Sequence, residues 1–159
     1  MTDLTKLLNE AINLHKDGKL SGTDDLYKSL VASIGESQVV NLTEGEAVNG
    51  KFDVLGKVRY PGRIEVKTAN KPTDGKLGAW SLMCKRNGCD WFALVDASSL
   101  ENNVYRISMI PHDVMFAFLD TPNSKGNCPD NIRWSASYNT TDNKCIKATD
   151  LFLMYEVNH

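Results

Sequence analysis

Three charged residues in the segment 52–68 have the types and the spacing for chemistry at a divalent cation. Asp53 precedes a turn at 60–62, and Glu65 and Lys67 follow that turn two positions apart. Since side chains alternate faces along a β-strand, Glu65 and Lys67 point the same way, and a hairpin would bring Asp53 beside Glu65. Two carboxylates are hard oxygen ligands for Mg²⁺, and a nearby ammonium can act on an attacking water or on a phosphate. Metal-assisted hydrolysis of a phosphodiester uses this set of groups.

The formal charge is unevenly distributed along the 159 residues of the chain. The net charge is −2, but residues 49–76 hold seven basic and three acidic side chains, a local charge of +4. Residues 1–48 carry −4 and residues 77–159 carry −2. A basic patch around a candidate metal site is typical of a protein that binds a phosphate backbone. A solvated, lysine-rich hairpin has the same charge, so charge alone leaves both interpretations open.

Hydrophobic periodicity and turn residues indicate the elements that position these side chains. Apolar residues recur at helical spacing over 4–14 and again over 26–34, where Gly35 fits a helix stop. The continuous apolar run 91–95 predicts a central strand covered on both faces. The other predicted elements are a short strand over 39–42, the hairpin strands around Asp53 and Glu65, a helix over 77–87, a strand over 105–109, a helix after Pro111, a strand over 134–138, and a strand or helix over 151–157. This order predicts an α/β fold with a mixed central sheet flanked by helices and an N-terminal helical pair.

The order of these residues and elements is similar to that of a known superfamily. Asp53, then Glu65-Val66-Lys67, then a helix and an apolar strand resembles the PD-(D/E)XK nucleases. These include type II restriction endonucleases, Holliday-junction resolvases and some homing endonucleases. The resemblance spans about residues 46–110, with Phe52 where the motif has proline. It implies a restriction-endonuclease-like fold.

The resemblance implies a role for each matching residue. Asp53, Glu65 and the backbone carbonyl of Val66 would bind Mg²⁺, for which Mn²⁺ can substitute, and Glu46 is a candidate additional ligand. Lys67 would position or activate the attacking water, or stabilise negative charge in the transition state. The residues expected to contact DNA are Arg63, Thr68, Asn70, Lys71 and Lys76, and the loop 120–133 is a further candidate.

These roles predict a Mg²⁺-dependent DNA endonuclease that makes sequence-specific double-strand cuts. We expect a homodimer, because such a cut needs two active sites related by two-fold symmetry. A structure-specific nuclease such as a junction resolvase, and a non-catalytic nucleic-acid-binding or protein-interaction module, stay open as alternatives. The charged trio could also be an exposed hairpin with cross-strand charge pairing.

Length and composition bound the organisation of the chain. We expect one nuclease domain over 1–159, with a helical N-terminal element over 1–35 and a catalytic core over 46–110. Neither a membrane-spanning apolar run nor a signal peptide is visible, which predicts a cytoplasmic protein with no membrane partner. The four cysteines lack a Cys-x-x-Cys pair, which predicts reduced thiols, with a structural zinc site as the alternative.

Overall fold

The protein is seen here in a computed structural model that describes residues 3–19, 25–69, 81–85, 88–99, 104–119, 131–135 and 148–157. The helices are α1 (Asp3–Lys16), α2 (Asp25–Thr43), α3 (His112–Leu119) and α4 (Ala148–Met154), and the strands are β1 (Glu46–Ala47), β2 (Val54–Gly56), β3 (Gly62–Ala69), β4 (Ser81–Lys85), β5 (Trp91–Ser99), β6 (Val104–Pro111) and β7 (Asn131–Ser135). Five strands form a mixed sheet in the order β1-β2-β3-β5-β6, and β4 pairs with β7 in a separate sheet. Only the β3–β5 pair is parallel among these described strands.

Helices cover both faces of the five-stranded sheet. On one face, Val39 of α2 belongs to a core cluster with buried residues of β2, β3, β5 and β6. On the other face, Phe116 of α3 and Phe152 of α4 pack with buried residues of β3, β5 and β6. Strand β5 supplies Ala93 to the first core and Phe92 to the second, because successive side chains point to opposite faces. The predicted α/β fold, with a mixed central sheet flanked by helices and a strand buried on both faces at 91–95, is therefore confirmed.

The hairpin formed by β2 and β3 is the part of the sheet that carries the candidate chemistry. Its antiparallel register pairs Val54 with Ile64 and Gly56 with Gly62. Gly62 has a φ of 120°, a conformation that glycine adopts without steric cost. A Cβ atom at Gly62 would also lie 2.8 Å from Oδ2 of Asp90, so the close approach of these two segments requires glycine here.

The N-terminal helical pair is present, but its second helix differs from the prediction. The predicted stop at Gly35 and the predicted strand over 39–42 are both wrong, because α2 continues to Thr43. A Cβ atom at Gly35 would overlap the Thr68 side chain, so this glycine permits close packing of the helix on β3. No helix in the described ranges is long and apolar enough to cross a membrane.

The segments outside the main sheet also differ from expectation. Residues 81–85, inside the helix predicted over 77–87, form β4, which is antiparallel to β7 with Leu82 opposite Trp134 in the register. Pairing with a distant segment overrides the helix propensity of this stretch. Strand β7 begins three residues before the predicted strand over 134–138, whose last three residues lie outside the described ranges. The C-terminal segment predicted over 151–157 as a strand or a helix is helical up to Met154. After that residue it pairs with β6, where Glu156 forms an antiparallel bridge with Ser108.

Candidate functional site

Asp53 directly precedes β2, at the open end of the β2–β3 hairpin. Its backbone N–H donates to the carbonyl of Ile64 at 3.0 Å, and its own carbonyl accepts from Val48 at 2.9 Å. Its carboxylate Oδ2 accepts a hydrogen bond from the backbone N–H of Val66 at 2.8 Å. The Asp53 side chain therefore accepts from a backbone N–H of β3 that has no partner on β2, because the β2–β3 pairing ends at Ile64. This hydrogen bond fixes Asp53 relative to the Glu-x-Lys segment.

Glu65 and Lys67 extend from the same face of β3, two residues apart. Lys67 Nζ lies 2.7 Å from Glu65 Oε1, and only 15% of the Glu65 side chain is exposed, against 30% for Lys67. In the parallel register these residues lie opposite Phe92 and Leu94 of β5. The strand thus places an ammonium against a mostly buried carboxylate, as the alternation of side chains predicts.

The electrostatics of Glu65 reflect this burial. Loss of solvent raises the pKa of the Glu65 carboxyl, and the negative charge of Asp53 raises it further. The hydrogen bond and the positive charge of Lys67 act in the opposite direction without cancelling the rise. Asp53 and Glu65 are thus close enough to repel each other, which is the arrangement that a bound cation relieves.

A third carboxylate, Glu36 of α2, belongs to the same electrostatic cluster and was not among the predicted site residues. Burial raises the pKa of Glu36, and the charges of Asp53 and Glu65 raise it further, while Lys67 lowers it. Its position follows from Gly35, which brings α2 close to β3 at Thr68. The sequence signal was the apolar spacing of Val31, Ile34, Val39 and Leu42, which continues at helical period through residue 36.

The donor chemistry of the cluster fits a hard divalent cation. Asp53 and Glu65 could supply carboxylate oxygens, and Val66, the residue after Glu65 on β3, could supply a backbone carbonyl. Among the described residues, no three His, Cys, Asp or Glu side chains converge closely enough to hold a metal by themselves. Mg²⁺ commonly takes one or two protein carboxylates and fills its other positions with water, so two carboxylates suffice.

Two other predicted site residues make ion pairs with neighbours on the surface. Glu46, the candidate additional ligand, lies on β1 opposite Leu55 and accepts from Lys57 Nζ at 2.8 Å. The guanidinium of Arg63 contacts both carboxylate oxygens of Asp90, at 3.2 and 3.0 Å, and Arg63 N–H donates to Oδ2 at 2.8 Å. This pairing lowers the pKa of Asp90 through hydrogen bonds to Arg63.

The remaining predicted DNA contacts are only partly covered by the structure. Thr68 is partly buried at the C-terminal part of β3, next to Gly35 of α2. Asn70, Lys71 and Lys76 lie outside the described residues, as does most of the loop 120–133. Cys89 is buried and is not part of a disulfide.

Comparisons with known proteins find similarity to solved structures but none to a protein family. No protein-family model and no curated protein matches the chain. Among solved structures, the chain is similar to a bacterial homing endonuclease, I-Ssp6803I, with a TM-score of 0.46 and 12% sequence identity. The aligned region covers 80% of this chain and 87% of the endonuclease.

Proposed function

We propose that this chain is a Mg²⁺-dependent DNA endonuclease. The observation that carries the proposal is the convergence of Asp53, Glu65 and Lys67 at one place on the β2–β3 hairpin. A surface ion pair without a function would be well exposed on a hairpin. Glu65 is instead mostly buried, and the pKa of its carboxyl is raised. Keeping carboxylates together in a desolvated place costs stability, and such costs are concentrated at functional sites.

The proposed roles follow from the chemistry of each group. Asp53 and Glu65, with the backbone carbonyl of Val66, would hold Mg²⁺, or Mn²⁺ in its place. When bound, the cation would supply Lewis-acid stabilisation of charge on the phosphate. Lys67 would orient the attacking water or stabilise negative charge as the phosphodiester is cleaved. The hydrogen bond from Val66 to Asp53 would keep one ligand in position before the cation arrives.

Glu36 would act on the cation mainly through its charge. It is coupled to both proposed ligands and to Lys67, so the four groups together carry a formal charge of −2 when all are ionised. That charge matches one divalent cation. Glu36 could also accept a hydrogen bond from a water bound to the cation, which is a common role for outer carboxylates.

DNA as the substrate is supported by the local charge of residues 49–76, which is +4 in a chain of net charge −2. Such a patch favours a polyanion. Double-strand cleavage by a homodimer extends this proposal, because two symmetric sites can cut both strands. One nuclease domain over 1–159 and cleavage at a specific sequence likewise stay predictions.

Cleavage assays on three DNA substrates test the proposal. The purified protein is incubated with supercoiled plasmid, linear duplex and a four-way junction, each with Mg²⁺ and with EDTA. We expect Mg²⁺-dependent cutting that converts plasmid to linear product without accumulating nicked circles, as a paired site would. Preference for the junction would identify a structure-specific nuclease instead. Binding to all three without cutting in Mg²⁺ would identify a non-catalytic module and contradict the proposal.

A further inference from the structure

The turn that joins β2 to β3 presents a basic surface, here called the hairpin tip (residues 57–61). Lys57, Val58 and Arg59 are all exposed in the structure. Val58 is 63% exposed and lies between these two cations in the sequence. The hairpin tip thus combines positive charge with an exposed apolar side chain.

The hairpin tip is held in place by the rest of the fold. The carbonyl of Thr43, at the end of α2, accepts hydrogen bonds from the backbone N–H groups of Lys57 and Val58 at 3.3 and 3.1 Å. Trp91 of β5 donates from Nε1 to the carbonyl of Pro61 at 3.2 Å, and its ring meets Tyr60 edge to face at 5.1 Å. A surface that is already ordered loses little conformational entropy when it binds a partner.

Arg59 is the cation of the hairpin tip that is best placed for an anion. Its guanidinium lies over the Tyr60 ring, 5.7 Å from the centroid. In the described part of the chain no carboxylate pairs with Arg59, so its planar set of N–H donors can take up a phosphate. Lys57 differs, because Glu46 already holds its ammonium at 2.8 Å.

The position of the hairpin tip relative to Asp53 suggests which part of a nucleic acid it meets. Lys57 follows Asp53 by four residues of extended chain, which is about 13 Å at 3.3 Å per residue. Successive phosphates of one DNA strand are roughly 3.4 Å apart along the helix axis. The hairpin tip therefore lies too far from Asp53 to contact the same phosphate.

We infer that the hairpin tip is a docking surface for the DNA backbone outside the cleaved bond. Arg59 binds a phosphate there, and Val58 packs against the neighbouring sugar. This inference rests on the proposed nuclease function, because it places one duplex on both the hairpin tip and the proposed site at Asp53, Glu65 and Lys67. The hairpin tip contributes affinity and positioning, and it takes no part in the chemistry.

Binding measurements with an Arg59→Gln protein test this inference. Affinity for a labelled duplex is measured in EDTA, which prevents metal-dependent cutting, between about 50 and 200 mM salt. We expect Arg59→Gln to weaken binding about tenfold and to reduce the slope of log affinity against log salt by about one. Val58→Ser should weaken binding several-fold with the salt slope unchanged, because it removes no charge.

Lys28→Gln is the matched control for the loss of one positive charge. Lys28 is exposed on α2 and lies about 22 Å from Thr43 along the helix axis, at 1.5 Å per residue. We expect it to bind DNA like the parent protein. If Arg59→Gln and Lys28→Gln bind alike while the parent binds DNA, the inference is wrong and the proposed function stands. If the parent does not bind DNA in EDTA, the inference is wrong, and the cleavage assays in Mg²⁺ decide the proposed function separately.

Discussion

The carboxylate of Asp53 accepts a hydrogen bond from the backbone amide of Val66 at 2.8 Å, across the point where β2 and β3 separate. Val66 is the residue between Glu65 and Lys67, so this one bond fixes the aspartate against the Glu-x-Lys segment. On the same strand, Lys67 meets Glu65 at 2.7 Å. The proposed metal ligands are thus positioned by the backbone of a single hairpin.

Mg²⁺ should stabilise the folded protein, because a ligand that binds only the folded state raises its free energy of unfolding. We expect the Tm to rise by several degrees at millimolar Mg²⁺, at constant ionic strength. Asp53→Asn should lose most of this rise, because the amide carries no negative charge to bind the cation. Its oxygen can still accept the hydrogen bond from the Val66 amide. Asp17→Asn, at an exposed position after α1, should keep it. An equal rise in both variants would place the cation elsewhere.

Lys67→Met should separate catalysis from DNA binding. The methionine keeps a long side chain but removes the ammonium that faces Glu65. We expect cleavage to fall by on the order of 10²-fold or more, as when a group that stabilises the transition state is removed. DNA affinity should stay within a few-fold of the parent value. A Lys28→Met protein provides the control, and parental cleavage by Lys67→Met would remove Lys67 from the proposed site.

Glu36→Gln should stabilise the protein at neutral pH. The pKa of the Glu36 carboxyl is raised from 4.5 by burial and by neighbouring carboxylates. Its contribution to stability is therefore fully present below pH 4.5 and is lost as the pH rises through the raised pKa. We expect Glu36→Gln to raise the Tm by a few degrees at pH 7, with a smaller gain as the pH falls toward 4.5.

Glu10→Gln is the comparison for this effect, because Glu10 is exposed on α1. It should leave the Tm unchanged across the same pH range. A lower Tm for Glu36→Gln at pH 7 would mean that the ionised carboxylate stabilises the fold, contrary to the cluster described above.

Arg63 and Asp90 should act as one structural unit. The bidentate pair joins the start of β3 to the residue before β5. The pKa of Asp90 is lowered, so its contribution is present above its ordinary pKa of 3.8 and is lost as the pH falls through the lowered value. At pH 7, Arg63→Gln and Asp90→Asn should each lower the Tm by a degree or two, since exposed pairs contribute modestly. The double variant should lose less than the sum, and strict additivity would show that the pair is not coupled.

The hairpin and the central strand could be predicted because their signals are local. Alternating residues on β3 set the common direction of Glu65 and Lys67, and the apolar run 91–95 had the length and composition of a buried strand. The predicted hairpin also brought Asp53 to the Glu-x-Lys segment. These features depend on residues within one or two elements.

Glu36 was missed because a glycine was interpreted as a helix stop. Gly35 is buried inside α2, and it serves the contact with Thr68 of β3. That contact joins residues far apart in the sequence, so local propensity could not reveal it. Without the longer helix, Glu36 had no predicted position near the hairpin.

Strand β4 was missed for a similar reason. Its five residues include good helix formers, and its strand conformation depends on pairing with β7 about fifty residues later. Such pairing is decided by tertiary structure and overrides a local preference.

Cleavage of supercoiled plasmid by Asp53→Asn tests the central claim most directly. The variant keeps an oxygen that can accept the hydrogen bond from the Val66 amide, so we expect it to fold, and its Tm checks this. It removes the negative charge of a proposed metal ligand. With Mg²⁺, we predict that the parent and the Asp17→Asn control cut the plasmid. Asp53→Asn should be slower by on the order of 10²-fold or more. Folded Asp53→Asn that cuts at the parental rate would contradict the account.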